Sequence, residues 1–226
     1  MRIETFWNKH PGETIYIVGT GPTMRIFPPD FFSGKVCIGL NQAYKYEGIN
    51  LTYSITIHPD LLPVTGKGGT WFTKKKPPRD DLDVNNPTIV VFQNNKDVKD
   101  FSFIERTRDC LYVGRGIHTA AIVLAAQMGA AYAVLVGVDC SQIGPDHHGH
   151  AQHVQWHGLE PKAVYDEYRA FGVEVRERVR ASYGMRTLTL SPYLGVGEYE
   201  KDYQSQLAWM GLGPLPYPKD VSKYKR

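Results

Sequence analysis

The chain has 226 residues, 42% of them hydrophobic, and a formal net charge of +3. That length and apolar share suit one α/β domain and exclude a disordered chain. The small, scattered charge gives no case for a nucleic-acid partner.

Three cysteines (Cys37, Cys110 and Cys140) share no metal-like spacing, and Cys37 and Cys140 fall in or just after apolar strands. A small buried thiol is the expected role there, and the odd count predicts a reducing, cytoplasmic location. The first ten residues lack the apolar core of a signal peptide, and no unbroken run of 18 apolar residues predicts a transmembrane segment. The lysine run Lys74, Lys75, Lys76 and the basic tail read as solvated surface.

In chain order, residues 1–13 read as a lead-in with a short helix ended by Pro11 and Gly12. Ile15 to Val18 then form an apolar strand, followed by the turn Gly19, Thr20, Gly21, Pro22, Thr23. Glycine turns after a strand let backbone N–H groups approach a phosphate. The run G-T-G-P-T-M is neither the dinucleotide fingerprint nor a P-loop, so a ligand turn and a structural turn both stay open. Pro28, Pro29 and Asp30 break any helix after the turn, and Phe31 and Phe32 are expected to pack beneath it. A second strand, residues 36–40, stops at Asn41 and Gln42, where a ligand sits in an open α/β sheet. A short helix over 43–49 follows.

A third strand, residues 52–57, ends at His58, Pro59 and Asp60. Residues 63–87 are rich in proline and glycine and read as a flap-like surface excursion rather than core. Residues 88–92 read as a further strand. A buried helix is predicted over 117–128, stopped by Gly129, then a central strand over 131–136 closed by Asp139. Asp139 reads either as a turn former or as a functional carboxylate.

Five of the eight histidines (His147, His148, His150, His153 and His157) lie within 11 residues. They form no closed zinc pattern, and three readings stay open: an exposed polar loop, an active-site loop over 144–158, or a metal site. The longest helical pattern covers 160–182, and a last strand covers 186–190. Alternating strands and helices predict a Rossmann-like α/β fold with a mostly parallel sheet and helices on both faces. The expected organisation is a single nucleotide-binding domain over 1–200 and a C-terminal tail over 201–226, which packs across the domain or against a second copy as a homo-oligomer.

Three segments in order, IYIVGTGPT…VCIGLNQAYKY, YSITIHPDLL and YVGRGIHTAAIVLAAQMGAAYAVLVGVDCSQIG, resemble the bacterial sialyltransferases of the Campylobacter lipooligosaccharide type. They also resemble a related domain family that includes archaeal 6-hydroxymethylpterin pyrophosphokinases. The first resemblance implies that Gly19, Thr20, Gly21, Pro22 and Thr23 hold the nucleotide's phosphate and ribose, with Asn41, Gln42, His58, Gly116 and Asp139 beside them. It implies a nucleotide-sugar donor, CMP-linked in those enzymes, a small-molecule acceptor, and a histidine general base at His153 or His157. Arg115 stands where those enzymes have serine and is expected to pair with the leaving phosphate. Thr20 and His58 stand where they have asparagines, and their lid tyrosines have no clear match.

The leading expectation is therefore a nucleotide-dependent transferase, a glycosyltransferase with a histidine base. One alternative is ATP-dependent pyrophosphoryl transfer to a pterin-like alcohol, with Mg²⁺ held by Asp60, Asp139 and Asp146. The other is a nucleotide-binding module without catalysis.

Overall fold

Apolar runs of four or five residues, bounded by glycine and polar turns, make strands that must be covered on both faces. The computed structural model describes residues 2–21, 23–24, 27–58, 69–73, 89–94, 110–139 and 161–190. One sheet holds seven strands: β1 (Thr14–Val18), β2 (Val36–Leu40), β3 (Tyr53–Thr56), β4 (Thr70–Thr73), β5 (Ile89–Val91), β8 (Tyr132–Val136) and β9 (Arg186–Thr189). Two short strands, β6 (Gln93–Asn94) and β7 (Cys110–Leu111), pair with each other. The long helices are α1 (Ile117–Gln127) and α2 (Pro161–Tyr183).

The order across the sheet is β5-β4-β3-β2-β1-β8-β9, and every adjacent pair is parallel. All the strands' carboxyl ends therefore lie along one edge. The chain steps outward from β1 to β5, then returns to place β8 on the other side of β1. The order thus reverses between β1 and β8, and open α/β sheets bind ligands outside the carboxyl ends at such a point. This is the expected α/β architecture.

Cover lies on both faces. Ile15, Ile17, Ile38, Leu40, Ile55 and Leu135 meet α1, together with Val175 and Val179 of α2. All eleven residues of α1 are buried, and its alanines let it lie close between sheet and α2. Tyr16, Val18, Cys37, Val134 and Val136 face the other way, against Met24, Phe27, Phe31 and Phe32. That second cover is a 3-10 helix at Pro29–Phe32, with another at Ala43–Lys45 where a longer helix was expected. Burial pushes the Cys37 thiol up to about 12, as suits a packing residue.

The expectation of a surface excursion over 63–87 is corrected by β4. This strand lies between β3 and β5, and Trp71 and Phe72 are fully buried. Four residues, Thr-Trp-Phe-Thr, are too short to stand out between glycines and lysines. Gly69, at φ +67°, lets the chain run against β3: a Cβ there would lie 2.2 Å from the Thr52 carbonyl oxygen. Residues 63–68 and 74–87 lie outside the described residues, as does the tail over 201–226.

The lead-in has a structural task. The amides of Asn8, His10 and Gly12 donate to the carbonyls of Gln127, Met128 and Gly129, capping the C-terminal end of α1. The opposite end of α1 is thereby fixed at the carboxyl edge of the sheet. Among the described residues no helix is long and apolar enough to cross a membrane.

Candidate functional site

A cleft of about 210 Å³ opens at that carboxyl edge, across the β1/β8 reversal. The ends of four strands line it: Gly19, Thr20 and Gly21 after β1, Asn41 after β2, His58 after β3, and Asp139 after β8. Gly116 and His118 enter from the start of α1, and Tyr165 and Tyr168 from α2. Of the residues expected to bind a nucleotide, the cleft brings together Gly19, Thr20, Gly21, Asn41, His58, Gly116 and Asp139.

The glycine turn is held from below by β8. Gly19 N–H donates to the Val136 carbonyl and Gly21 N–H to the Gly137 carbonyl, both at 2.7 Å. Thr23 N–H donates to Asp139 Oδ2 at 2.8 Å, and the Thr23 hydroxyl donates to Oδ1. A carboxylate that receives two donors is acting as an acceptor only. Asp139 is 3% exposed, so this clasp is screened from water. The glycines permit the close approach: a Cβ on Gly19 would lie 2.2 Å from the Gly137 oxygen, and one on Gly21 2.4 Å from Asp139 Oδ2. The amides of Gly19, Gly21 and Thr23 are therefore committed to the fold, and Pro22 has none. The expected amide cradle for phosphate is not what these three groups form.

The donors facing the cleft come from elsewhere. Asn41 has φ +50°, a left-handed conformation that few residues other than glycine adopt and that asparagine tolerates best among them. Its Oδ1 accepts from the Thr56 hydroxyl at 3.0 Å, and that hydroxyl in turn accepts from His58 N–H at 3.0 Å. The same hydroxyl lies 3.3 Å from the His58 carbonyl, so Thr56 ties the Asn41 side chain to the turn after β3. An outlier that its neighbours hold in place is where function is sought. Gln42 does not line the cleft; it is buried, and its Oε1 has no hydrogen-bond partner among the described residues.

Gly116, at φ +88°, starts α1, and the Thr119 hydroxyl ties the entrance by donating to the Gly116 carbonyl at 2.8 Å while accepting from Gly114 N–H at 3.0 Å. The first amides of a helix have no α-helical partner, and of this first turn Gly116, Ile117 and His118 line the cleft. Arg115 points elsewhere. Its guanidinium pairs with Glu167 at 3.0 Å, both side chains are more than half exposed, and it does not line the cleft. His153, His157 and the rest of the histidine loop lie outside the described residues, as do Pro22, Asp60, Cys140 and Asp146.

No family model matches this chain, and no curated protein does. Among solved structures it is similar to the sialyltransferase CstII from Campylobacter jejuni in complex with a substrate analogue, cytidine 5′-monophosphate, at 15% identity over 93% of this chain and 89% of that one, TM-score 0.46. It is also similar to the monofunctional alpha-2,3-sialyltransferase Cst-I from Campylobacter jejuni, at 13% identity over 80% of this chain and 76% of that one, TM-score 0.46.

Besides apolar residues, the cleft is lined by three side chains that sequence reasoning missed. His118 is 3% exposed, and its Nε2–H donates to the Tyr168 carbonyl at 3.1 Å. Burial pushes its pKa down to about 4, so the ring is neutral near pH 7. Its signal was a histidine just inside an apolar run that follows a glycine. Tyr165 and Tyr168, one helical turn apart, meet edge to face at 6.2 Å. Tyr168 falls on the helical apolar period of 160–182 and so reads as a packing residue, although the first turns of α2 run along the cleft.

Proposed function

We propose that the chain is a nucleotide-dependent transferase, a glycosyltransferase whose nucleotide-sugar donor binds in the cleft at the β1/β8 reversal. The observation that carries this reading is Asn41. It is held in a left-handed conformation at a strand's carboxyl end, with its side chain tied to Thr56 and lining the cleft. The start of α1 supplies amides and the positive end of the helix dipole for a phosphate. The aromatic faces of Tyr165 and Tyr168 offer a wall for a base or sugar. The motif order seen in the sequence makes a CMP-linked donor the first to test.

In the proposed reaction the acceptor hydroxyl attacks the donor's anomeric carbon. The bond from that carbon to the phosphate oxygen breaks, and the nucleotide leaves with the electron pair. His153 or His157 takes the hydroxyl proton, a task suited to an imidazole titrating near neutral pH. The departing charge falls to the amides at the start of α1. In the Mg²⁺-dependent alternative Asp139 would have to serve the ion while still accepting both Thr23 donors.

The test is a thermal-shift series with CMP, CDP, UDP, GDP and ATP, repeated on Asn41→Ala. A rise in melting temperature with one nucleotide, lost in the variant, is expected. No rise with any of the five overturns the proposal.

A further inference from the structure

We propose that His118 is the specificity residue of the cleft: its Nδ1 accepts a hydrogen bond from a ribose hydroxyl of the bound nucleotide, so the site takes ribonucleotides over deoxyribonucleotides. This inference rests on the nucleotide-binding reading above and names which part of the ligand the start of α1 recognises.

The tautomer follows from geometry. Nε2 faces the Tyr168 carbonyl, which can only accept, so Nε2 carries the proton and Nδ1 holds the lone pair. Nδ1 lies on the Gly116 side of the ring: a Cβ on Gly116 would be 2.7 Å from Nδ1 and 2.8 Å from Cε1. A side chain at 116 would therefore press on the ring edge that carries the lone pair. His118 is 3% exposed as a residue and lines the cleft, and its hydrogen bond among the described residues is made by Nε2. Nδ1 is not fully enclosed, so a donor from the cleft can reach its lone pair.

The chemistry selects the donor. A neutral lone pair repels a phosphate oxygen, which also brings only acceptors. A hydroxyl brings a proton and no net charge. Neutrality is maintained because the ring is sealed between α1 and α2 and because the start of a helix disfavours a cation. The amides of α1's first turn and this lone pair thus present a donor set beside one acceptor. That combination fits an anionic group attached to a hydroxyl-bearing sugar.

The experiment is calorimetric titration of the full chain with CMP, 2′-deoxy-CMP and 3′-deoxy-CMP, for wild type, His118→Phe and His118→Asn. Phenylalanine keeps the bulk and loses the acceptor; asparagine places its Oδ1 near the position of Nδ1. Wild type is expected to bind CMP roughly tenfold or more tighter than at least one deoxy form, since a site built around a hydroxyl rejects the analogue without it. That ratio falls to within about threefold in His118→Phe and is partly restored in His118→Asn. A purely structural tie between α1 and α2 would weaken all three ligands alike and leave the ratio unmoved, which overturns the inference. Equal binding of the three by wild type overturns it too, while leaving the nucleotide reading intact. No binding of any of them refutes the inference, and the thermal-shift series then decides the parent reading.

Discussion

The Asp139–Thr23 clasp is the feature whose removal tests the site's construction most directly. It joins the turn after β1 to the end of β8, across the reversal where the cleft opens. Asp139→Ala removes both acceptors and leaves a buried N–H and a buried hydroxyl unpaired. Hydrogen bonds to a charged group are each worth about 1.5–3 kcal/mol, so the loss should be about 3–6 kcal/mol. Against a domain stability of roughly 5–15 kcal/mol that is a large fraction. Thr23→Val removes only the hydroxyl's bond and keeps the shape, for about 1.5–3 kcal/mol.

The assay is urea unfolding of wild type, both single variants and the double variant. The two variants share the bond they each delete, so their effects should fall short of additive by about 1.5 kcal/mol or more. If the two add within about 0.5 kcal/mol, the carboxylate does not hold the turn, and the account of the glycine motif fails with it.

Four further outcomes follow from the same geometry. Gly21→Ala drives a Cβ to within 2.4 Å of Asp139 Oδ2 and 2.6 Å of the Gly137 oxygen; it should destabilise by about 1–3 kcal/mol or more, read from the urea midpoint. Asn41→Gly relieves the left-handed strain but loses the Thr56 bond; stability should stay within about 1 kcal/mol while the nucleotide's thermal shift disappears. His118 stays neutral in the fold down to about pH 4, whereas in the unfolded chain it takes a proton near its ordinary value. Stability should therefore be unaffected by this group above about pH 6.5 and fall by up to about 3 kcal/mol between there and pH 4, a slope that His118→Phe removes. Arg115→Ala breaks a mostly exposed ion pair with Glu167; it should shift stability by less than about 1 kcal/mol, and an unchanged nucleotide affinity would show that this cation does not reach the phosphate.

The sheet was legible because its strands are apolar runs separated by glycine and polar turns, a pattern that parallel strands show undiluted. β4 was not, since four residues between glycine and lysine clusters carry almost no periodic signal, and only the pairing with β3 and β5 reveals them. The polar tips at Asn41, His58 and Asp139 were legible for a topological reason. In a parallel sheet every strand ends on the same edge, so residues just after strands converge whatever their separation in sequence. Arg115 and His118 show where that reasoning stops. Arg115 lies outside the helix, before the left-handed Gly116, whereas His118 lies in its first turn. The backbone at Gly116 separates the two, so the charged residue reaches out to Glu167 and the apparently buried one lines the cleft.

The glycine turn shows the same limit from the other side. Its composition suggested backbone donors aimed at a phosphate, because glycine allows close approach. Close approach does occur, but the partner is β8: the carbonyls of Val136 and Gly137 and the Asp139 carboxylate take the amides. A sequence gives the permission for contact and not the identity of what makes it. With the amides of Gly19, Gly21 and Thr23 engaged, the phosphate site proposed above moves toward the start of α1, and among the described residues of this turn it is Thr20 that brings a side chain to the cleft.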